Sequence, residues 1–475
     1  MTGNAARPRI RHNDYGPLSP AEPGRWTPSL TVSVIVPAHG GQHRLDLALA
    51  ALAAQSYPSR LTEVIVVDDG SEPPLRLPEL RPENCRMITP SPGGWGPAHA
   101  MNAGVAVADG AVVQRLDADM VPYREHLELL LRWQHLTDYL VTIGGKVFVP
   151  EPPITPAQVH AAVLADTVPE LIDLTSALPS STEQTIRRLD GLRKSRNPYH
   201  VCTGPTMSMH RTFYESAGGF DADVHRGEDT EFAYRLAQAG AVFVPDLAAK
   251  AVHLGLPAQR REREATIRAV EPYLAQRVPL RRELRKERGR GWRVPYVEVV
   301  LDVSESGERE ARAAVEAALT GTLPDVTVTL VGPWSGLPQG RPEGPATELE
   351  LLAAGFRDDP RVRLADQVPP TAFPVPFRYT GPVDTPLAPD TLEQLTKIMT
   401  KDLSGLLYMR LPSGRMAAME RTEAVSRARL IAFPDEPLTQ AIEATHGVRH
   451  ATSPTQDIPD KQPLRERLAR LQQSP

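Results

Sequence analysis

Short apolar runs alternate with longer amphipathic ones from Thr31 onward. The run "TVSVIVPA" (31–38) is rich in β-branched residues and too short for a buried helix, which predicts a strand. "RLDLALAALAAQ" (44–55) repeats apolar residues at helical spacing, and "TEVIVVDDGS" (62–71) is a second apolar strand closing in acids. Together they form one βαβ unit. "CRMITP" from Cys85 adds a short strand, "PAHAMNAGVAVA" from Pro97 a helix after a Gly-rich lead-in, and "AVVQRLDAD" from Ala111 a fourth strand. Helices alternating with buried strands predict an open, doubly wound α/β sheet. Ligands of such sheets gather at the carboxyl ends of the strands.

The groups at those ends are Pro37 to Gly40, Asp68 to Ser71, and Asp117 with Asp119. One Asp after a strand is ordinarily a turn residue that hydrogen-bonds its own backbone. Two acids one residue apart repel and lose solvation, and acids at several strand ends together point to a cation as the missing partner. Further on, Glu228 and Asp229 open the helical run "TEFAYRLAQAG". A helix dipole favours acids in its first turn by about 0.3–1 kcal/mol each, so capping and chemistry both fit that pair.

A chain of 475 residues exceeds what one core normally serves, so two domains are expected. Lys and Arg total 53 against 58 Asp and Glu, a net charge of −5 that argues against general nucleic-acid binding. Only Cys85 and Cys202 are present, too few for a disulfide framework or a four-thiolate zinc site. No apolar run approaches the roughly 20 residues that cross a bilayer, and "MTGNAARPRI" lacks the apolar core of a signal peptide, which predicts a cytoplasmic chain. The 48 prolines concentrate in a stretch before Ser29 and in linkers such as "PEPPITP". Residues 260–293 are dense in basic charge, an ordinary solvated face or one suited to an anionic membrane surface or a diphosphate.

Five ordered features, "VSVIVPAHG", "VIVVDDGS", "GGWGPAHAMNAGVAVADG", "RLDADM" and "GGFDADVHRGEDTEFAYRLAQAG", make the region from Leu30 to Gly255 resemble the bacterial family-two glycosyltransferases. The resemblance implies a GT-A fold and an enzyme that moves a sugar from a nucleotide-sugar donor, UDP-linked before GDP- or dTDP-linked, to a hydroxyl acceptor with inversion. It implies Pro37, His39, Asp68, Asp69, Asn102 and Asp117 as donor-binding residues. "DAD" looks like the family's DxD metal motif, with Asp119 and Asp117 joined by His253 around Mn²⁺ or Mg²⁺, and Asp229 then looks like the catalytic base with Glu228 orienting the acceptor. Two departures stand out: the first loop reads His39-Gly40, and Met101 precedes Asn102 where relatives often carry Arg. Arg115, His99, Arg260 and Arg261 are the candidates to replace that cation. The acceptor is expected to be a saccharide, a lipid-linked saccharide or a small molecule, as in polysaccharide biosynthesis. The expected partners extend to a second copy of the chain and to the inner face of the cell membrane through 260–293. The rival readings are a non-catalytic nucleotide- or carbohydrate-binding module and a sugar nucleotidyltransferase; a P-loop enzyme is excluded because no GxxxxGK[ST] occurs.

The second core emerges on laying the halves together. "LTEVIVVDDG" from Leu61 matches "LPDVTVTLVG" from Leu323, placing Asp68 and Asp69 on Leu330 and Val331. "DGAVVQRLDAD" from Asp109 matches "SGLLYMRLPSG" from Ser404, placing Asp117 and Asp119 on Pro412 and Gly414. The expected organisation is therefore a Pro-rich tail (1–29), a catalytic GT-A domain (30–258), a basic helical linker (259–293), a degenerate GT-A-like α/β domain without metal acids (294–452) and a charged tail (453–475).

Overall fold

The computed structural model describes residues 7–255, 263–285, 291–337 and 344–451. The chain divides into two compact units, Met1–Arg285 and Lys286–Pro475. Arg260, Arg261 and the charged tail 453–475 lie outside the described residues.

In the first unit, β1 (Val32–Ala38), β2 (Thr62–Asp68), β3 (Cys85–Ile88) and β4 (Val112–Arg115) run parallel, with β1 between β2 and β4. Beyond them lie β5 (Met120–Pro122), β6 (Leu140–Val149), β7 (Leu178–Pro179), β8 (Met207–His210) and β9 (Val242–Leu254). The order is β3-β2-β1-β4-β8-β6-β9-β5, with β7 on β6. Because β8 is antiparallel to both β4 and β6, the sheet is mixed, as the α/β reading expects. All seven positions of β2 are buried, since helices cover both faces of a parallel sheet. Helices α1 (Gln42–Leu52) and α2 (Pro97–Ala106) occupy the runs with helical spacing. Gly104 lets α2 close onto β1: a Cβ there would lie 2.4 Å from the Ile35 side chain.

Two segments depart from their sequence reading. The Pro-rich stretch is fastened to the first unit rather than hanging as a tail. Ile10 and Asn13 are each 3 % exposed. The Asn13 side-chain amide donates to the Phe243 carbonyl (2.9 Å) and accepts from the Phe243 N–H (2.8 Å), while the Tyr15 hydroxyl donates to the Gly191 carbonyl at 2.7 Å. Proline prevents a regular ladder, and side chains supply the hydrogen bonds instead. The described part of the basic linker is likewise packed. It forms the helix Arg263–Arg277, in which Leu274 is 3 % exposed and Arg277 Nε donates to Asp221 Oδ2 at 2.7 Å. That arginine grips a loop of its own unit, so it is not part of a solvated basic face.

The second unit contains β10 (Val297–Asp302), β11 (Val326–Val331), β12 (Val362–Ala365), β13 (Phe377–Thr380), β14 (Leu406–Arg410), β15 (Met416–Arg421) and β16 (Val448–Ala451), in the order β12-β11-β10-β13-β15-β14-β16. Its first four strands are parallel and the fifth antiparallel, the same run as β3-β2-β1-β4-β8. The topology corrects the residue pairing between halves. The counterpart of β4 is β13, which lies beside β10, whereas β14 pairs only with β15 and β16. Setting Val297↔Phe377 against Val32↔Val112 moves Asp117 onto Pro382 and Asp119 onto Asp384. Setting Val297↔Val326 against Val32↔Thr62 moves Asp68 and Asp69 onto Gly332 and Pro333. An apolar strand followed by a turn carries no address within a sheet, which is why the ungapped match chose the wrong partner.

Candidate active site

The carboxyl ends of β1, β2 and β4 present their loops side by side because the three strands are parallel neighbours. At the end of β2, Asp68 accepts from the Ser71 and Leu75 N–H groups, each at 3.0 Å. Burial alone would raise this carboxyl, but those hydrogen bonds hold it below the usual carboxylate range. Asp68 thus shapes the loop that follows it. Asp69 Oδ2 accepts from the Gly96 N–H at 2.6 Å, tying this strand end to the start of α2. His39 is exposed and bonds through Nδ1 to the Asp69 carbonyl at 2.9 Å, while Pro37 is half-buried on β1 opposite Val67. The Asn102 side chain is occupied by protein groups: its Oδ1 accepts from the Tyr214 hydroxyl (2.6 Å) and the Phe220 N–H (3.0 Å), and its Nδ2 donates to the Phe220 carbonyl (2.8 Å). It fastens the Gly-Gly turn at 218–219, and Met101 beside it is buried.

Arg115, the last residue of β4, organises the acids. Only 5 % exposed, it donates from Nε to Asp117 Oδ1 at 2.8 Å and from Nη1 to Glu228 Oε1 at 3.1 Å. Two carboxylates more than a hundred residues apart in sequence therefore share one buried guanidinium. Gly204 lies against that guanidinium, where a Cβ would fall 2.4 Å from Cζ, and its N–H donates to Asp229 Oδ2 at 3.3 Å. Burial and the neighbouring Asp229 push the Glu228 carboxyl up, against the opposing pull of Arg115. Lys146, just after the bulge between Gly144 and Gly145 in β6, donates to Thr203 Oγ1 at 2.5 Å. Burial pushes this ammonium down, while Asp229 and Asp117 pull the other way. Charges of both signs are thus closed into one group.

Asp119 turns away from this group toward β9. Pairing of Met120 with His253 between β5 and β9 brings His253 Nε2 to 3.6 Å from Asp119 Oδ1. His253 Nδ1 is buried without a hydrogen-bond partner, and its ring rests against Phe148 at 4.8 Å between centroids. Burial pushes the Asp119 carboxyl up, opposed by His253 and reinforced by Asp117. Among the described residues no group of three or more His, Cys, Asp or Glu side chains is gathered as a ready-made metal cage. A carboxylate beside an imidazole nevertheless fits Mg²⁺ or Mn²⁺, which take one or two protein carboxylates and fill the rest of their shell with phosphate oxygens and water.

Sequence reasoning named Asp117, Asp119, Glu228, Asp229 and His253, and the fold brings all five to the side where β4 ends and β5 begins. It named Arg115 only as a stand-in cation and missed Lys146 and the Thr203–Gly204 loop. The loop stood out only as "HVCTGPT", a Gly-rich turn before a short strand, and Lys146 sits in "IGGKVFV", where nothing marks it. Among the described residues no helix is long and apolar enough to cross a membrane.

Acids and buried cations thus gather at the strand carboxyl ends, where open α/β sheets receive their ligands. Residues 33–217 match the model of Glycosyl transferase family 2. The chain is 26% identical to the hyaluronan synthase of Pasteurella multocida over 402 residues, covering 78% of this chain and 40% of that protein. It is also 26% identical to the chondroitin synthase of Escherichia coli over 405 residues, covering 78% of this chain and 57% of the synthase. The chain therefore spans about half the length of these relatives. A mannosyltransferase from Pyrobaculum calidifontis, solved with GDP-Man and Mn²⁺, aligns at 19% identity and a TM-score of 0.34 over 55% of this chain and 66% of its own.

Proposed function

We propose that the protein is a metal-dependent glycosyltransferase that moves a sugar from a nucleotide-sugar donor, UDP-linked in preference, to a hydroxyl of a glycan acceptor with inversion. The observation that carries this reading is the single group in which the buried Arg115 joins Asp117 of the strand end to Glu228 beside Asp229. A binding module has no physical need to gather three acids around one buried guanidinium. Likeness to synthases of hyaluronan and chondroitin supports a polymer of sugars as the acceptor.

In this reading the loop at Asp68 and Asp69 and the exposed His39 receive the nucleoside, and Asp119 with His253 would hold a divalent ion beside Asp117. Such an ion would supply positive charge against the diphosphate oxygens that gain charge in the transfer. Asp229 accepts the proton of the acceptor hydroxyl, which is a poor nucleophile while neutral. Glu228, held by Arg115, orients that exchange, and Lys146 keeps the acids from repelling one another apart. Thermal shift with UDP, GDP and dTDP, each with and without Mn²⁺, tests the reading. One nucleotide raising the melting temperature only with metal supports it, since a ligand that binds the native state alone stabilises it. No response to any nucleotide overturns it.

A further inference from the structure

Trp95 is the most exposed large apolar side chain among the described residues, at 58 %. Scattered surface hydrophobics need no explanation, but this one is held in place. Its indole stacks on His225 with centroids 4.3 Å apart and planes 10° from parallel, so one face is covered and the other is open. Behind it, His225 meets Tyr273 edge-on at 6.2 Å and leaves its own Nδ1 buried without a hydrogen-bond partner. The loop carrying the tryptophan is pinned on both sides. The Gly96 N–H donates to Asp69, His99 Nε2 bonds the Ser91 carbonyl at 3.0 Å, and Gly94 lies so close to the His99 ring that a Cβ would fall 2.5 Å from it. The fold orders an indole while leaving more than half of it in water.

We infer that Trp95 is the platform on which a pyranose ring of the acceptor glycan stacks. One face of a pyranose presents C–H groups while its hydroxyls project around the rim, so a flat, electron-rich indole covers the first and leaves the second to water and to polar partners. Position selects the acceptor. The Trp95 loop is tied to Asp69, whereas His225 under it sits three residues before Glu228 on the loop leading to Asp229. A ring lying on this stack rests between the proposed donor loop and the proposed base. The inference depends on the glycosyltransferase reading and names the residue that seats the incoming chain.

An oligosaccharide array probed with wild type, Trp95→Ala and Trp95→Phe in UDP and Mn²⁺, alongside nucleotide thermal shifts of all three, tests the platform. The inference expects wild type to bind at least one glycan, Trp95→Ala to lose about ten-fold in that affinity, as one stacked ring implies, and Trp95→Phe to keep most of it. The melting temperature and the nucleotide shift of Trp95→Ala should equal those of wild type. Equal glycan binding by Trp95→Ala, or no glycan bound by wild type, overturns the platform. Loss of the nucleotide shift in Trp95→Ala also overturns it, because the indole then serves the nucleobase. Absence of a nucleotide shift in all three proteins strikes instead at the donor assignment, while the array still decides the role of Trp95.

Discussion

The two sheets share a run of four parallel strands and an antiparallel fifth, yet they put their charges in different places. The first collects carboxylates at its strand ends, where Asp117 and Asp119 remain partly exposed. The second keeps its charges in the middle of the sheet: Arg378, 5 % exposed, donates to Glu298 Oε2 at 2.9 Å, lies opposite Glu420 in the ladder, and Glu298 also accepts from Thr329 at 2.8 Å. A row of that kind is satisfied internally and has nothing left to offer a ligand. Its strand ends read Gly332-Pro333 and Pro382, and the acids there are exposed and already engaged: Asp384 pairs with Arg415, Asp302 accepts from the Ser304 N–H at 3.1 Å and Asp366 from the Ser335 N–H at 3.0 Å. Backbone order alone therefore does not make a site; the residues at the strand ends do.

The largest effect expected of this contrast comes from Asp229→Asn. Removing the base should lower transfer by about 10²–10⁴-fold while the metal-dependent nucleotide shift stays unchanged. Equal loss of both would make Asp229 a structural residue and erase the distinction between the sheets. Next is Arg378→Met, which strands Glu298 and Glu420 in the second sheet and should cost about 3–5 kcal/mol there. Hydrogen exchange should register that loss in β10 and β13, with the nucleotide shift intact.

A third effect belongs to the first unit. His126 is fully buried, its Nδ1 bonds the Ala249 and Lys250 carbonyls at 3.1 Å, and burial pushes its pKa down to about 4. Neutral in the fold and protonated in the unfolded chain, it contributes stability that is complete above about pH 6.5 and is lost as pH falls toward 4, a change on the order of 3 kcal/mol. Exchange protection of α3 (His126–Gln134) should fall across that window, and His126→Gln should flatten the fall. The smallest effect is Asp384→Asn, expected to leave nucleotide binding and its metal requirement unchanged. A reduced shift would mean that the second unit holds an ion after all.

Much of the first sheet was legible because each parallel strand is a contiguous apolar run whose end is marked by a polar turn: β1, β2, β3 and β4 all fall within their expected segments. The acids were legible for the same reason, since a charge at the end of such a run is conspicuous. Lys146 was not, because it reaches Asp229 and Asp117 only through the long β6–β9 pairing and a bulge, which no local pattern announces. Asn102 was assigned by its motif, whereas its partners Tyr214 and Phe220 lie 112 and 118 residues away. The second sheet was legible as a class and not in register, because its resemblance to the first resides in strand order rather than in residues.

The clasp of Asn13 on Phe243 has a consequence for assembly. Phe243 pairs with Val141 of β6 on one side and turns its own N–H and carbonyl outward on the other, beyond the reach of β5, which meets β9 only from Ala251 to His253. Such a vacancy is where a foreign strand can add itself to a sheet. A side-chain amide has the same donor and acceptor as a peptide group, and here it occupies the two bonds a newcomer would need. The amino-terminal segment thus acts as a plug against strand addition at this position, and Asn13→Ala would unblock it.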